Sequence, residues 1–298
     1  MPDIAFWNKC DNKCVMCTNM AEFAGQDSAQ YGLKCQIGKL ERYLSGLGPV
    51  YNKNADKADF VSLTGGEPTI HPEFFKLLAY FRKRLPAVKV TLLSNGRRFA
   101  DNNFTSRFLK LARPPFAVGI ALHASKPSVH DAITGVRGSF TQTVKGLENI
   151  FKLARGQEIE IRLVLHRKNI KEFRALLKFL LKKFPDTSNY RVVAIHYEIE
   201  GMSLVNHKNL SLKLSGSGRV LNGSMALISR FADFSIYHFP LCLVSKELRP
   251  LCRTTLPRED RIYTAKCRRC PARENCLGLM LGYYKKFGDG ELKTLKKT

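Results

Sequence analysis

Short apolar runs alternate with longer amphipathic stretches between Pro2 and about Glu200. Six runs rich in β-branched and aromatic residues predict strands, and four stretches with apolar residues three or four positions apart predict helices. Such alternation is typical of a parallel sheet, either a partial barrel or an open wound sheet. The predicted strands span 3–8, 58–64, 88–94, 116–123, 159–166 and 190–198, and the predicted helices span 72–85, 103–113, 139–155 and 170–184.

The composition changes after Glu200. Residues 210–224 are rich in Ser, Gly and Asn, which predicts a loop or linker. Five of the nine cysteines follow this stretch, and a basic tail ends the chain. We therefore divide the chain into an α/β domain over residues 1–200 and a C-terminal extension over residues 201–298.

The N-terminal residues and the length of the apolar runs predict the cellular compartment of the protein. No apolar run approaches the roughly 18 residues that a membrane helix needs. The first residues, MPDIAFWNK, lack the basic leader and apolar stretch of a signal peptide. We expect a cytoplasmic protein with no membrane partner. In that reducing compartment, clustered cysteines are metal ligands or redox groups more often than disulfides.

The charge is strongly positive. The 298 residues include 49 Lys and Arg against 25 Asp and Glu, for a formal net charge of +24. Such a surface attracts polyanions, either nucleic acid or an acidic peptide. A solvated, lysine-rich surface explains the same count, and no aromatic signature of the RRM type is present. Nucleic acid therefore stays open as a partner.

Three cysteines stand close together near the start, in CDNKCVMC at 10–17. Four thiolates suit zinc or a fully ligated cluster. Three thiolates on one short loop suit a [4Fe–4S] cluster, which is compact, and leave one of its irons without a protein ligand. An iron of that kind can bind a small molecule. Cys10, Cys14 and Cys17 are therefore candidate ligands of a reactive cluster.

The C-x3-C-x2-C loop resembles the signature of the radical S-adenosylmethionine (SAM) superfamily. Three further motifs follow in the family's order, each at the end of a predicted strand: TGGEPTIHPEF at 64–74, LLSNGRRF at 92–99 and HASKPSVHDAITGVRGSF at 123–140. The resemblance implies a partial (β/α)6 barrel in which the amino and carboxylate groups of SAM bind the open iron. Met16 departs from the aromatic residue that usually precedes the third cysteine.

The resemblance also implies the other SAM contacts. The Gly65–Pro68 segment would hold the amino group, and an inward-facing Arg162 would meet the carboxylate. Inward residues at the ends of other strands are candidates for the ribose and the adenine, although each could instead be a satisfied interior polar residue. The full set of expected SAM contacts is Met16, Gly65, Gly66, Glu67, Pro68, Ser94, Asn95, His123, Ser125, Arg162 and His196.

A second cysteine group lies in the extension. Its C-x2-C-x5-C spacing alone would suit a structural zinc. After a partial barrel, it resembles the twitch or SPASM extension of radical SAM maturases, which binds an auxiliary [4Fe–4S] cluster. Five cysteines suffice for one such cluster, so the shorter twitch form fits better. The expected ligands are Cys242, Cys267, Cys270 and Cys276, with Cys252 as the alternate to Cys242.

The stretches at 239–252 and 267–278 are most like those of His-Xaa-Ser peptide maturases. This resemblance implies an enzyme that cleaves SAM reductively to a 5′-deoxyadenosyl radical and abstracts hydrogen from a ribosomally made peptide. The product would be a crosslink, a thioether or an epimerised residue. An electron donor such as flavodoxin or ferredoxin is also implied.

Two alternatives to a peptide maturase remain. The first is a radical SAM enzyme acting on tRNA or another polyanion, which the charge favours. The second is a non-enzymatic, basic zinc or Fe–S protein that binds nucleic acid. For the peptide maturase, the cysteine loop begins so early that we expect the barrel, the extension or a separate protein to recognise a leader peptide.

Overall fold

The computed structural model describes residues 3–47 and 60–296. The helices are α1 Ala21–Gly25, α2 Leu33–Leu44, α3 Phe74–Arg84, α4 Asn102–Leu111, α5 Pro127–Thr134, α6 Ser139–Leu153, α7 Phe173–Lys183, α8 Gly201–Val205, α9 His207–Leu210, α10 Leu214–Gly223, α11 Met225–Ile228 and α12 Leu281–Phe287. The strands are β1 Asp3–Trp7, β2 Phe60–Gly65, β3 Lys89–Ser94, β4 Phe116–Ala121, β5 Glu158–Leu165, β6 Arg191–His196, β7 Asp233–Tyr237, β8 Cys252–Arg253, β9 Arg261–Ile262 and β10 Leu279–Met280.

Strands β1 to β8 belong to one sheet and lie in chain order. Strand β1 pairs parallel with β2, β2 with β3, and β3 with β4; the later pairs β6–β7 and β7–β8 are also parallel. Parallel neighbours joined by helices confirm the predicted α/β class. All six predicted strands are observed, and their described ends agree to within two residues. Residues 58–59 of the second predicted strand lie outside the described residues.

The chain forms two compact units. The first comprises Met1–Cys14, Asn19–Leu122 and Thr134–Ile161. Its core includes phenylalanines of α3 and α4: Phe104 lies 5.8 Å from Phe74, and Phe108 lies 5.6 Å from Phe116 of β4. These apolar residues recur at helical spacing, which is why α3 and α4 are helices with one buried face.

The second unit comprises Val15–Thr18, His123–Ile133 and Arg162–Thr298. Helix α7 buries Leu176, Leu177 and Leu180. Helix α12 buries Tyr283, whose hydroxyl accepts a hydrogen bond from the backbone N–H of Leu214 at 3.0 Å. Among the described residues, no helix is long and apolar enough to cross a membrane.

The loop or linker predicted at 210–224 is wrong, because α10 occupies most of this stretch. Leu214, Ser217, Gly218 and Leu221 are buried at helical spacing. A Cβ on Gly218 would lie 2.3 Å from the Leu243 carbonyl oxygen, so close packing explains a glycine that helix propensity disfavours.

The sheet also continues beyond the sixth predicted strand, since β7 and β8 extend it. These two strands fall within the predicted extension. The domain division after residue 200 stays a prediction.

Candidate functional site

Glu67 of the GGEP segment is a buried hydrogen-bond hub. One carboxylate oxygen accepts from the Thr69 backbone N–H, the Thr69 hydroxyl and, at 2.8 Å, the Ser94 hydroxyl. The other accepts from the Asn95 backbone N–H at 2.7 Å. Burial raises the pKa of Glu67, and the four hydrogen bonds oppose that shift. Glu67 therefore joins two of the predicted motifs, at the ends of β2 and β3.

Gly65 and Gly66 bring the β2 turn against the residues that precede Cys10. The Gly66 N–H donates to the Trp7 carbonyl at 2.7 Å, and the Glu67 N–H donates to the Lys9 carbonyl at 2.8 Å. A Cβ on Gly66 would lie 2.2 Å from the Lys9 carbonyl oxygen, and Gly65 has a φ of +117°. Only glycine permits this approach, so the turn fixes where the cysteine loop starts.

Between Cys10 and Cys14, the loop is held by the segment after β3. The Asn95 side-chain amide donates to Asp11 at 2.6 Å, and Arg97 forms a 3.1 Å ion pair with Asp11. Arg97 also donates to the Asp11 carbonyl and to Asn12 Oδ1. Asn95 and Ser94, predicted as SAM contacts, thus have protein partners here.

Gly135 supports the same loop from another side. The Lys13 N–H donates to the Thr134 carbonyl at 2.7 Å, and a Cβ on Gly135 would lie 2.8 Å from the Lys13 carbonyl oxygen. Close packing against Lys13 therefore explains the glycine at position 135, in the 123–140 stretch that resembles a family motif.

In the second unit, residues 15–17 of the cysteine loop are anchored by α8 and the residue that follows it. The Ser203 N–H donates to the Cys17 carbonyl at 3.2 Å, and Asn206 Nδ2 donates to the Val15 carbonyl at 2.9 Å. Met16 is buried beside them. Hydrogen bonds to the Val15 and Cys17 carbonyls therefore fix the backbone of this part of the loop.

Four histidines of the second unit lie at or just after the ends of strands β4 to β7. His166 and His238 come directly after β5 and β7, His196 ends β6, and His123 lies two residues after β4. All four are buried. His196 Nδ1 lies 3.0 Å from the Ser217 hydroxyl, and the His123 ring stacks at 5.6 Å on that of His130.

Burial keeps these imidazoles neutral. It lowers the pKa of His166 and His196 to about 3 and that of His238 to about 4, and it places the pKa of His123 well below its usual value. Three buried ring nitrogens, His123 Nδ1, His166 Nε2 and His196 Nε2, have no hydrogen-bond partner among the described residues. Neutral imidazoles of this kind can donate to or accept from a bound polar molecule.

The two other SAM contacts predicted in this unit have protein partners. The Arg162 guanidinium lies over the Tyr237 ring at 5.5 Å. The Ser125 hydroxyl lies 3.4 Å from a carboxylate oxygen of Glu172, which also pairs with Lys126. Arg162 therefore lies beside the end of β7 rather than in solvent.

Four of the five late cysteines line one cavity in the second unit: Cys242, Cys267, Cys270 and Cys276. Backbone N–H groups of Leu241 and Gly278 each lie 3.4 Å from the Cys276 sulfur. Cys252 does not line this cavity, and burial raises its pKa to about 12. Lys266, Arg273 and Lys293 add positive charge to the lining. Thiols with N–H donors and nearby cations fit an anionic cluster.

No cysteine of the nine is in a disulfide. Across residues 3–47 and 60–296, no group of three or more His, Cys, Asp or Glu side chains converges closely enough to hold a single metal ion. A four-iron cluster places a different iron against each thiolate, so its ligands lie farther apart than those of one ion.

A second cavity of about 380 Å³ lies at the end of the β6 segment. Its carboxylates are Glu198, Glu200 and Asp260, and apolar residues such as Leu204 and Leu256 complete the lining. Burial and the neighbouring Glu198 raise the pKa of Glu200 to about 7. The sequence did not predict that Glu200 and Asp260 would line this cavity.

The profile of the Radical SAM superfamily matches residues 4–180, more than half of the chain. The chain belongs to the radical SAM superfamily. Fe-coproporphyrin III synthase of Methanosarcina barkeri is 26% identical over 71% of this chain and 48% of its own length. The subtilosin biosynthesis protein AlbA of Bacillus subtilis is 33% identical over 39% of this chain and 27% of its own length. The chain thus spans less than half the length of these two relatives.

A solved structure supports the fold of this radical SAM chain. Streptococcus suis SuiB bound to its precursor peptide SuiA aligns with a TM-score of 0.57 and 15% identity, over 78% of this chain and 48% of SuiB. At that identity the alignment shows the fold alone. The predicted radical SAM architecture is confirmed.

Several residues of this radical SAM chain were missed by sequence reasoning. Asp11 and Arg97 hold the first part of the cysteine loop, and Ser203 and Asn206 hold the last part. Asp11 lies inside the motif and Arg97 follows the SNG segment, so motif proximity was a usable signal for both. No local signal identifies Ser203 or Asn206.

Proposed function

We propose that this chain is a radical SAM enzyme that abstracts hydrogen from a substrate, and that the substrate is a ribosomally made peptide. The observation that carries the enzyme class is the superfamily match over residues 4–180, which contain the cysteine loop and the Glu67 hub. The same match opposes a non-enzymatic zinc or Fe–S protein. Similarity to AlbA, a subtilosin biosynthesis protein, and to SuiB, which binds a precursor peptide, supports the peptide.

Cys10, Cys14 and Cys17 would hold the first [4Fe–4S] cluster in this proposal. With SAM bound there, these residues would hold a group whose chemistry is one-electron reduction of the SAM sulfonium, the source of a 5′-deoxyadenosyl radical. Gly65 and Gly66 would bring backbone groups to the SAM amino group. The remaining contacts are carried over from the family resemblance: Met16, Glu67, Pro68, Ser94, Asn95, His123, Ser125, Arg162 and His196.

The chain's own residues position the reactants and exclude water. Glu67 orders the β2 and β3 turns through its four hydrogen bonds, which fixes backbone donors near the cysteine loop. Buried, neutral histidines at the strand ends would offer uncharged donors and acceptors to a ribose or adenine. Their neutrality avoids repulsion of the positively charged sulfonium.

Cys242, Cys267, Cys270 and Cys276 would hold an auxiliary [4Fe–4S] cluster, because they share one cavity with N–H donors and cations. Cys252 lies outside that lining and would not be a ligand. An acidic electron carrier such as flavodoxin or ferredoxin would reduce the enzyme, and the positive surface would attract it. A separate protein could present the peptide. The absence of disulfides among the nine cysteines suits the cytoplasm, where thiols stay reduced.

The acidic cavity at Glu198–Gly201 would receive part of the substrate. Its carboxylates favour a basic side chain or an amine, and Leu204 and Leu256 favour an apolar neighbour. A peptide offers both kinds of group on adjacent residues.

A second candidate substrate is an iron tetrapyrrole that is converted to an iron coproporphyrin, since the relative aligned over 71% of this chain is an Fe-coproporphyrin III synthase. The net charge of +24 also suits an anionic substrate, so tRNA is a further candidate substrate.

Reconstituted protein, SAM and dithionite would be mixed anaerobically with each candidate: short peptides encoded beside the gene, tRNA and an iron tetrapyrrole precursor of Fe-coproporphyrin III. We expect a peptide that either loses two hydrogens, as a crosslink or thioether does, or takes up deuterium from D2O without another mass change, as an epimerised residue does, and neither change with the Cys14→Ala variant. Modification of tRNA or the tetrapyrrole alone would contradict the peptide assignment and leave the enzyme class intact.

A further inference from the structure

Arg97 contacts the cysteine loop at three points. Its Nη1 lies 3.1 Å from the Asp11 carboxylate and donates to Asn12 Oδ1 at 3.0 Å and to the Asp11 carbonyl oxygen. Asp11 and Asn12 directly follow Cys10. One guanidinium therefore fixes both side chains and the backbone of the turn between the first two cysteines.

The arginine is itself fixed on its other side. Arg97 Nε donates to Gln142 Oε1 of α6 at 2.6 Å, and its side chain is only 16% exposed. Asn95 Nδ2 donates to the other oxygen of Asp11 at 2.6 Å. A surface ion pair contributes little because both side chains move freely. Here each partner has a second hydrogen bond that holds it in place.

The turn that Arg97 holds carries a hydrogen bond to a cysteine sulfur. The Asn12 backbone N–H lies 3.4 Å from Cys10 Sγ. Hydrogen bonds to cluster sulfurs are one of the factors that set the reduction potential of an Fe–S cluster. An N–H that points at a thiolate stabilises the extra negative charge of the reduced cluster, so it raises that potential.

We propose that Arg97 is a positioning residue for the first cluster: by clamping Asp11 and Asn12, it keeps the Asn12 N–H on Cys10 and sets the potential and retention of the cluster. The inference rests on the proposed function, in which Cys10, Cys14 and Cys17 ligate that cluster. Arg97 directly follows the Ser94–Gly96 segment, and this positioning role is additional to the SAM contacts expected of that segment.

The neighbouring Arg98 is a matched control. It is exposed, and its guanidinium lies over the Phe104 ring at 5.1 Å, with no hydrogen bond to the cysteine loop among the described residues. Lysine at position 97 would keep the charge but lose the fork that reaches several acceptors at once.

The test compares reconstituted wild-type protein with Arg97→Ala, Arg97→Lys and Arg98→Ala. A redox titration followed by electron paramagnetic resonance gives the potential of each cluster, and the signal that changes on adding SAM identifies the first one. Iron release to a chelator gives retention. The auxiliary cluster is an internal reference in every sample.

We expect Arg97→Ala to lower the potential of the first cluster and to speed its iron loss several-fold, with the auxiliary cluster unchanged. Arg97→Lys should recover part of both, and Arg98→Ala should match wild type. An unchanged potential in Arg97→Lys and in any folded Arg97→Ala protein would overturn the inference. A wild-type protein with no SAM-responsive cluster would instead refute the proposed function.

Discussion

The backbone N–H of Asn95 donates to the carboxylate of Glu67 at 2.7 Å. This bond joins the turn after β2 to the turn after β3. The Asn95 side chain then donates to Asp11 of the cysteine loop. Three motifs separated along the chain thus form one hydrogen-bond network in the first unit. A substitution at Glu67 should therefore alter the position of the cysteine loop.

Glu67→Gln should destabilise the protein. Glutamine fits the same space, but its NH2 group would face an N–H or O–H that now donates to the carboxylate. A buried donor left without an acceptor costs about 1–3 kcal/mol. Urea unfolding would measure the loss. Glu73→Gln is the control, because the Glu73 side chain pairs with Lys76 at the surface and its removal should change stability by less than about 0.5 kcal/mol. Equal effects would contradict the buried role of Glu67.

Gly66→Ala should prevent the β2 turn from meeting the cysteine loop. The new Cβ would lie 2.2 Å from the Lys9 carbonyl oxygen, a backbone atom that cannot move aside alone. We expect a loss of stability and of iron at the first cluster. Gly25→Ala is the matched variant: a Cβ there meets nothing within 4 Å, and alanine favours helix α1 by up to about 1 kcal/mol. Thermal unfolding and iron content of both variants decide the point.

Cys276→Ala and Cys252→Ala should differ in iron content. Cys276 lines the late-cysteine cavity and Cys252 does not. We expect Cys276→Ala to lose about four irons per chain, the content of one cluster, and Cys252→Ala to keep them. Iron analysis after anaerobic reconstitution gives the answer. Loss of iron in Cys252→Ala alone would mean that Cys252 replaces another cysteine as a ligand.

Acid should destabilise the protein through its buried histidines. Burial lowers the pKa of His166 and His196 to about 3, against a usual value near 6.5 in the unfolded chain. Below pH 6.5 these histidines bind protons in the unfolded chain but not in the folded chain. The free energy of unfolding therefore falls as the pH falls toward 3. Each such histidine adds up to about 1.4 kcal/mol per pH unit in that window.

Removing one of these histidines isolates the effect. His196→Asn would keep a polar side chain beside Ser217 and remove one titrating group. Its unfolding free energy, measured between pH 4 and 7 by urea titration, should depend less steeply on pH than that of wild type. An unchanged slope would show that His196 is not held neutral.

The sequence predicted most of the sheet because each strand is a short apolar run between helical stretches. It failed at α10, where buried Gly218 and Ser217 look like loop residues until their contacts with Leu243 and His196 are known. It also missed β7 and β8, since DFSIY continues an apolar run that reads equally well as helix and β8 has only two residues.

The candidate site was predictable as far as local spacing extends. The spacing of the cysteines alone identifies both cysteine groups. The clamp between Arg97 and Asp11 joins residues far apart in the chain, and only the folded topology brings them together. The exclusion of Cys252 from the late-cysteine cavity has the same cause.

The most direct measurement is SAM cleavage. The anaerobically reconstituted protein is mixed with SAM and dithionite, and 5′-deoxyadenosine is measured by mass spectrometry beside Cys14→Ala. Production of 5′-deoxyadenosine by wild type, with about eight irons per chain, and none by the variant is the result expected of a two-cluster radical SAM enzyme. Intact SAM, in a wild-type protein that holds zinc in place of iron, would contradict it.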